Sequence, residues 1–138
     1  MEHIITVAFV INSLFTTPLI TYKATNEPLP KAVILSEYDI QLNQWVERLS
    51  ICESGNRSDA VHHNDGKIGS DSIGVNQYKT GTWEMYTKKF GLPYSADDIW
   101  NADKQKNLTK LIIKNDYAYK NWKNCSESIG LPPRFTDS

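Results

Sequence analysis

One carboxylate in this chain lies where it could act as an acid, at the predicted C-terminal end of an amphipathic helix. Glu53 ends a segment whose apolar residues follow helical spacing, namely Leu42, Trp45, Val46 and Leu49. The last turn of a helix carries partial negative charge, so partial burial there would raise the pKa of Glu53. A carboxylic acid that keeps its proton near neutral pH can donate it to a leaving group. The alternative is a solvated glutamate at the end of a surface helix.

Several short motifs follow Glu53 along the chain. The triplet 53–55 (Glu-Ser-Gly) precedes a polar, Gly-rich run to Gly69, and then come residues 72–78 (Ser-Ile-Gly-Val-Asn-Gln-Tyr) and 80–83 (Thr-Gly-Thr-Trp). This order resembles the lysozyme-like lytic transglycosylase superfamily. Members of that superfamily have a Glu-Ser motif at a helix end, a Gly-Leu-Met-Gln-like motif in a short hairpin and a Thr-Trp or Thr-Ala helix start.

The two cysteines add to this resemblance, which covers about residues 42–125. Cys52 directly before Glu53, together with Trp122 and Cys125 near the C-terminus, is most similar to the resuscitation-promoting-factor branch. In an exported chain this pair is expected to form one disulfide. In a cytosolic chain, two free buried thiols are the alternative.

The resemblance implies a small α+β fold, a mainly helical lysozyme-like domain in which a short β-hairpin flanks a groove. The implied function is cleavage of the β-1,4 bond between N-acetylmuramic acid and N-acetylglucosamine in peptidoglycan, with Glu53 as general acid and base. In lytic transglycosylases a hydroxyl of the substrate closes on the anomeric carbon, so no second carboxylate is needed. We leave open whether the product is an anhydro or a reducing sugar.

A conventional glycosidase would need a second carboxylate, about 5–9.5 Å from the first. Asp65 and Asp71 lie in the predicted hairpin and are the candidates, with Asp59 in the loop before it. No motif identifies any of them as a partner of Glu53. Because Asp favours turns, turn formation is the alternative explanation for Asp65 and Asp71.

Three candidate substrate-binding residues come from the first two motifs. Ser54 completes the Glu-Ser pair, and Gly74 and Gln77 match the Gly and Gln of the hairpin motif. Gly74 would let the backbone approach a sugar, and the Gln77 amide would bind it by hydrogen bonds. For Gly74 the alternative is a β-bulge. Asn76 stands where the family has an apolar residue, which is a departure from the motif.

Two tyrosines complete the candidate site. Tyr78 is expected either to line the groove or to fill the core, and Trp83 is expected in the core. Tyr119 lies in residues 118–121 (Ala-Tyr-Lys-Asn), which resemble the Ala-Tyr-Asn motif of the family. The resemblance implies that the Tyr119 hydroxyl orients Glu53. The alternative is a core tyrosine on the apolar stripe of the last helix.

Local signals predict four helices and one irregular hairpin. Residues 57–78 contain three glycines and an Asn-Asp-Gly turn signal at 64–66, without helical periodicity, so they predict loops and a small hairpin. Caps and stop signals bound the helices. The first predicted helix begins at a capping box at 36–39 and runs to about Ser54, and the second covers 81–90 and is capped by Thr80. A short third helix covers 95–100. A long last helix is capped by Asn101 and runs through Trp122.

The chain is expected to contain one domain, residues 36–128. Residues 1–23 resemble a signal peptide or membrane anchor, because an apolar run starts at Ile4 and no charge follows until Lys23. They lack a basic start and an Ala-x-Ala cleavage site, so a buried N-terminal helix of the domain is the alternative. Residues 24–35 are expected to be a linker and residues 129–138 a loose tail.

Composition limits the function further. The net charge is −1, from 15 basic and 16 acidic residues, so no basic field indicates nucleic acid as a partner. His62 and His63 are adjacent and no metal-binding motif occurs, so we expect neither a metal nor a cofactor. The expected partner is a peptidoglycan glycan strand. The protein is expected to be a monomer that is secreted or tethered to the cell envelope. The alternative function is a non-catalytic module that retains the groove and binds glycan or a surface protein.

Overall fold

The computed structural model of the protein describes residues 35–66 and 69–135. The predicted leader, residues 1–23, and all of the linker except Leu35 lie outside these residues. The elements follow the chain in the order α1 (Glu37–Ser54), β1 (Val61–His62), β2 (Ser72–Ile73), α2 (Thr80–Lys89), a first 3₁₀ helix (Asp97–Trp100), α3 (Ala102–Asp116), a second 3₁₀ helix (Tyr119–Trp122) and α4 (Lys123–Ile129). The described part is therefore a small, mainly helical α+β fold, as predicted.

Helix α1 is the central element and matches the predicted helix. The Ser36 side chain accepts a hydrogen bond from the Asp39 backbone N–H, so Ser36 caps the helix as predicted. The Asp39 carboxylate bonds to the Ser36 hydroxyl rather than to its backbone N–H, so the reciprocal half of the predicted capping box does not form. At the other end Gly55 takes the left-handed conformation, φ 66°, and its N–H bonds to the carbonyl of Ile51. That conformation is costly for other residues, so glycine ends the helix directly after Glu53 and Ser54.

A two-stranded antiparallel hairpin follows α1. Val61 pairs with Ile73 and His62 with Ser72. A second turn, which we call the 74–77 turn, continues the chain. It is closed by two backbone hydrogen bonds of 2.9 Å between Ile73 and Tyr78. The predicted irregular hairpin is thus confirmed, and both of its ends return close to the C-terminal end of α1.

The core is formed where α1 packs against α3 and α4. Its largest fully buried side chains include Trp45, Trp83 and Tyr78. The Tyr78 ring makes edge-to-face contacts with Trp83 and Trp122, with ring centroids 5.6 Å apart in both pairs. Such aromatic pairs stabilise a core beyond their buried area. Tyr78 therefore joins the 74–77 turn to α2 and to the second 3₁₀ helix.

The prediction of one long last helix is wrong. Helix α3 begins after Asn101, whose side chain caps it as predicted, but it ends at Asp116. Tyr117 has a left-handed backbone, φ 49°, and the chain turns into the second 3₁₀ helix before α4 begins. This break redirects the chain so that Trp122 and Cys125 reach the core beside α1. Tertiary packing overrides the helical periodicity here.

The C-terminal segment was expected to be loose, but residues 130–135 contact the domain. The Trp45 indole N–H donates a hydrogen bond of 2.8 Å to the carbonyl of Gly130, and the Tyr117 hydroxyl donates one of 2.9 Å to the carbonyl of Pro132. The Phe135 ring packs edge-on against Tyr38.

Within residues 35–66 and 69–135 no helix is long and apolar enough to cross a membrane.

Candidate active site

Glu53 lies in the last turn of α1 and is partly buried. Burial raises the pKa of Glu53 from its ordinary value of 4.5 to about 7, and the negative charge of Asp65 adds to the rise. No hydrogen bond from a described residue contributes to this shift. The group therefore holds a proton near neutral pH, as a general acid must.

The two candidate second carboxylates have different surroundings. Asp65 lies at the tip of the hairpin, and its charge acts on Glu53. Asp71 is engaged locally, because it accepts hydrogen bonds of 3.0 Å from the Asn64 N–H and from the His63 ring. These contacts, the Asn64 N–H first, hold the pKa of Asp71 below its usual range. The structure thus distinguishes Asp65 from Asp71, which the sequence did not.

Ser54 is buried and its hydroxyl is fully engaged within the protein. Its single O–H donor lies 2.9 Å from the carbonyl oxygen of Val75 and 3.2 Å from that of Ser50, and its oxygen accepts a hydrogen bond of 3.1 Å from the Arg57 N–H. These bonds attach the end of α1 to the 74–77 turn and to the following loop. In this arrangement Ser54 positions the residue before it, Glu53.

Gly74 is required by close packing. A Cβ built at Gly74 would lie 2.3 Å from Gln105 Nε2, and the backbone has φ 79°. Gln105, on α3, is buried and donates to the carbonyl of Ile73 at 2.9 Å while accepting from the Asn76 N–H at 2.8 Å. The backbone at Gly74 therefore closely approaches the Gln105 side chain, which holds the 74–77 turn by hydrogen bonds.

Asn76 is the residue whose role the sequence did not reveal. Its fully buried side chain accepts from the Ser50 hydroxyl and donates to the Thr109 hydroxyl at 2.8 Å, and its carbonyl accepts from the Trp122 indole at 2.7 Å. It therefore links α1, α3 and the second 3₁₀ helix. The departure from the family motif was the available signal, since a buried amide needs several partners.

Gln77 lies beside Asn76 with a left-handed backbone, φ 52°. Its side-chain N–H₂ donates to the carbonyl of Gly74 at 2.7 Å and approaches that of Ala60 at 3.4 Å. Its Oε1 atom is buried and has no hydrogen-bond partner among the described residues. Such an unpaired acceptor is costly in a folded protein. Among the described residues, Gln77 is thus a predicted binding residue with a buried polar atom left unpaired.

Of the two candidate tyrosines, Tyr78 is buried and Tyr119 is half-buried. Tyr78 is 2% exposed, and its hydroxyl is 2.8 Å from that of Thr109. It fills the core rather than lining a groove, and burial raises its pKa. Tyr119 begins the second 3₁₀ helix and packs edge-on against Tyr117. Within the described residues no hydrogen bond joins the Tyr119 hydroxyl to Glu53.

An open cleft of about 760 Å³ lies between the hairpin and the start of α2. Its lining combines hydroxyl groups, a lysine, an aspartate and exposed backbone, from residues Gly66, Gly69, Ser70, Asp71, Ile73, Lys79, Thr80, Gly81 and Thr82. Glu53 is not part of this lining. Lys79, one of the lining residues, donates a hydrogen bond from its ammonium group to the backbone carbonyl of Asp65.

Cys52 and Cys125 form the predicted pair. Their Cα atoms are 5.9 Å apart, within the range that a disulfide requires, and the two sulfur atoms are in bonding contact. The bridge joins the last turn of α1 to α4 at the residue next to Glu53.

No cluster of three or more His, Cys, Asp or Glu side chains that could hold a metal occurs in residues 35–66 and 69–135.

Comparisons with known proteins add no relative. A scan against models of protein families found no match, and searches of curated proteins and of solved structures found none either. The class of protein must therefore be argued from the site itself. That site has a partly buried acid at a helix end, and its pKa is raised by burial and by the charge of Asp65 on the hairpin. An open polar cleft lies between the hairpin and the start of α2.

Proposed function

We propose that this chain is a lysozyme-like enzyme that cleaves the β-1,4 bond between N-acetylmuramic acid and N-acetylglucosamine in peptidoglycan. The observation that carries the proposal is Glu53, a carboxyl group with a pKa of about 7 at the end of α1. Glycoside cleavage requires an acid that remains protonated near neutral pH and that a second group can assist. The sequence motifs around Glu53 support the same family.

In the proposed reaction the Glu53 carboxyl transfers its proton to the oxygen that bridges the two sugars. The bond from that oxygen to the anomeric carbon breaks, and positive charge develops on the sugar. A hydroxyl group of the same sugar then bonds to the anomeric carbon. Its proton passes to the Glu53 carboxylate, which restores the acid and leaves an anhydro product.

Asp65 supports a second version of the same function. The charge of Asp65 adds to the raised pKa of Glu53, and in this version Asp65 would stabilise the sugar cation or activate a water molecule. The water would supply the oxygen that bonds to the anomeric carbon, and the product would be a reducing sugar. Asp71 is the weaker candidate, because its carboxylate is held by Asn64 and His63.

The cysteine pair supports an exported enzyme. Disulfides persist in oxidising compartments, and peptidoglycan lies outside the cytoplasm. We therefore propose a secreted or envelope-tethered protein whose partner is the glycan strand. A monomer suffices for the proposed chemistry, since every group it uses belongs to one chain.

The test is digestion of purified peptidoglycan, with mass spectrometry of the released sugars. Wild-type protein should release fragments, and Glu53→Gln should reduce the rate about 10²–10⁴-fold while still binding the wall. The exposed Glu84 on α2 offers a matched control, so Glu84→Gln should cleave like wild type. Binding without cleavage by the wild-type protein would instead support the non-catalytic glycan-binding module. An anhydro product indicates the transglycosylase version and a reducing product the hydrolase version.

A further inference from the structure

The Asp65 side chain is held from two sides within the hairpin. Its Oδ2 atom accepts a hydrogen bond of 2.5 Å from the Ser72 hydroxyl, across the turn. The Lys79 ammonium bonds to the backbone carbonyl of Asp65 and lies 4.0 Å from the same Oδ2 atom. Two elements, β2 and the start of α2, thus converge on one carboxylate.

Among the described residues, the Ser72 hydroxyl has one hydrogen-bond partner, the Asp65 carboxylate. The residue lies in β2 opposite His62 and is 1% exposed, although serine is a weak strand former. A buried hydroxyl must be satisfied, and the hydrogen bond to Asp65 satisfies it. Asp65 itself is exposed, so without these contacts its side chain would be free to turn into solvent.

We propose that Ser72 and Lys79 are positioning residues that fix the Asp65 carboxylate in its place on the hairpin. The assignment rests on the proposed function for its role in catalysis, while the clamp itself is a property of the folded chain. Burial is the larger cause of the raised pKa of Glu53, and the charge of Asp65 adds to it. The groups that face Asp65 in turn are the Ser72 hydroxyl and the Lys79 ammonium.

The two clamp residues differ in charge, and an experiment can use this difference to separate the effect of position from the effect of charge. Ser72 is neutral, so its removal changes the place of Asp65 without changing the charge near Glu53. Lys79 is a cation, so charge alone predicts that its removal raises the pKa of Glu53, because Asp65 loses its counter-ion. Loss of the clamp predicts the reverse, since Asp65 then moves into solvent, where its charge is screened.

The test is titration of the Glu53 carboxyl carbon by NMR in the full chain, which needs no turnover. Ser72→Ala and Lys79→Met should each lower the pKa of Glu53, in the same direction as Asp65→Asn. Ser72→Thr and Lys79→Arg, which keep the donors, should restore the wild-type titration. Asp71→Asn is the matched control and should leave the titration of Glu53 unchanged, because Asp71 bonds to Asn64 and His63.

Two results would overturn the clamp. One is an unchanged titration of Glu53 in Ser72→Ala when Asp65→Asn lowers it, and the other is a raised pKa in Lys79→Met. Should Ser72→Ala fail to fold, Ser72→Thr and Lys79→Met decide the matter by the same readout. Failure of the proposed function is distinct, since it shows as retained peptidoglycan cleavage by Glu53→Gln, whatever the titrations give. If both hold, the upper limit of the pH–rate profile should move to lower pH in Ser72→Ala.

Discussion

The Ser54 hydroxyl donates a hydrogen bond of 2.9 Å to the main-chain carbonyl of Val75. This bond attaches the last residue of α1 directly to the 74–77 turn, so the helix end that bears Glu53 and the turn that bears Gln77 form one rigid corner. Asn76 and Gln105 brace the corner from inside the core. The acid is therefore supported by buried polar contacts, while its own carboxyl group stays available.

The raised pKa of Glu53 should make the stability of the protein depend on pH. The folded value of about 7 lies above the unfolded value of 4.5, so the folded state binds the proton more tightly. The contribution of Glu53 to the free energy of unfolding should then be fully present below about pH 4.5, and it should be lost as the pH rises to about 7. Glu53→Gln stays neutral, so it should exceed wild type by about 1–2 kcal/mol at pH 8, after allowing for solvent screening.

Urea unfolding of both proteins at pH 4 and pH 8 measures this difference. Glu84→Gln, on an exposed part of α2, is the control and should track wild type at both pH values. Equal stability of Glu53→Gln and wild type at pH 8 would mean that Glu53 is ionised without cost.

The three aspartates near the site should differ in their effect on peptidoglycan cleavage. Asp65→Asn removes the charge that acts on Glu53, so it should shift the pH profile and, in the hydrolase version, lower the rate about 10²-fold or more. Asp71→Asn and Asp59→Asn should stay within a few-fold of wild type, because neither charge contributes to the shift at Glu53. Rates on purified sacculi across pH 5–9 provide the measurement. A larger loss in folded Asp71→Asn than in Asp65→Asn contradicts this assignment.

The pairing of Cys52 with Cys125 should contribute strongly to stability. The two residues are 73 positions apart, and closing a loop of that length stabilises a fold by roughly 4 kcal/mol in the chain-entropy model. Reduction, or the double change to serine, should lower the denaturation midpoint accordingly. Thiol titration of denatured, unreduced protein from an oxidising compartment should find no free thiol. Two reactive thiols per chain would exclude the bridge.

Removal of the Asn76 side chain should destabilise the fold more than loss of a surface amide. Asn76→Ala removes the buried amide that bonds to the hydroxyls of Ser50 and Thr109, at a cost of about 1–3 kcal/mol. Asn115→Ala, at an exposed place on α3, is the control and should cost far less. Thermal unfolding measures both. Similar losses in the two variants would show that the buried network contributes little.

Much of the site's neighbourhood could be predicted from local sequence. Helix α1, its Ser36 cap and its end at Gly55 follow from helical periodicity, a capping side chain and a glycine, all of which act between residues close in the chain. The same holds for the Asn101 cap of α3. The cysteine pairing was predicted from the presence of two cysteines in a chain with an apolar leader, and the structure confirms it.

Other features were decided by contacts between distant residues. The stripe through Trp122 predicted one helix, but the chain breaks at Tyr117 because Trp122 must reach the Asn76 carbonyl and Cys125 must reach α1. Tyr78 was left between groove and core, and only its neighbours Trp83 and Trp122 place it in the core.

The chemistry of Glu53 divides in the same way. Its place at a helix end is a local property, and the sequence by itself determined it. Its partial burial, and the choice of Asp65 rather than Asp71 as the carboxylate that acts on it, depend on how the hairpin folds back on α1. A pKa responds to desolvation and to charges in space, so only the tertiary structure could decide it.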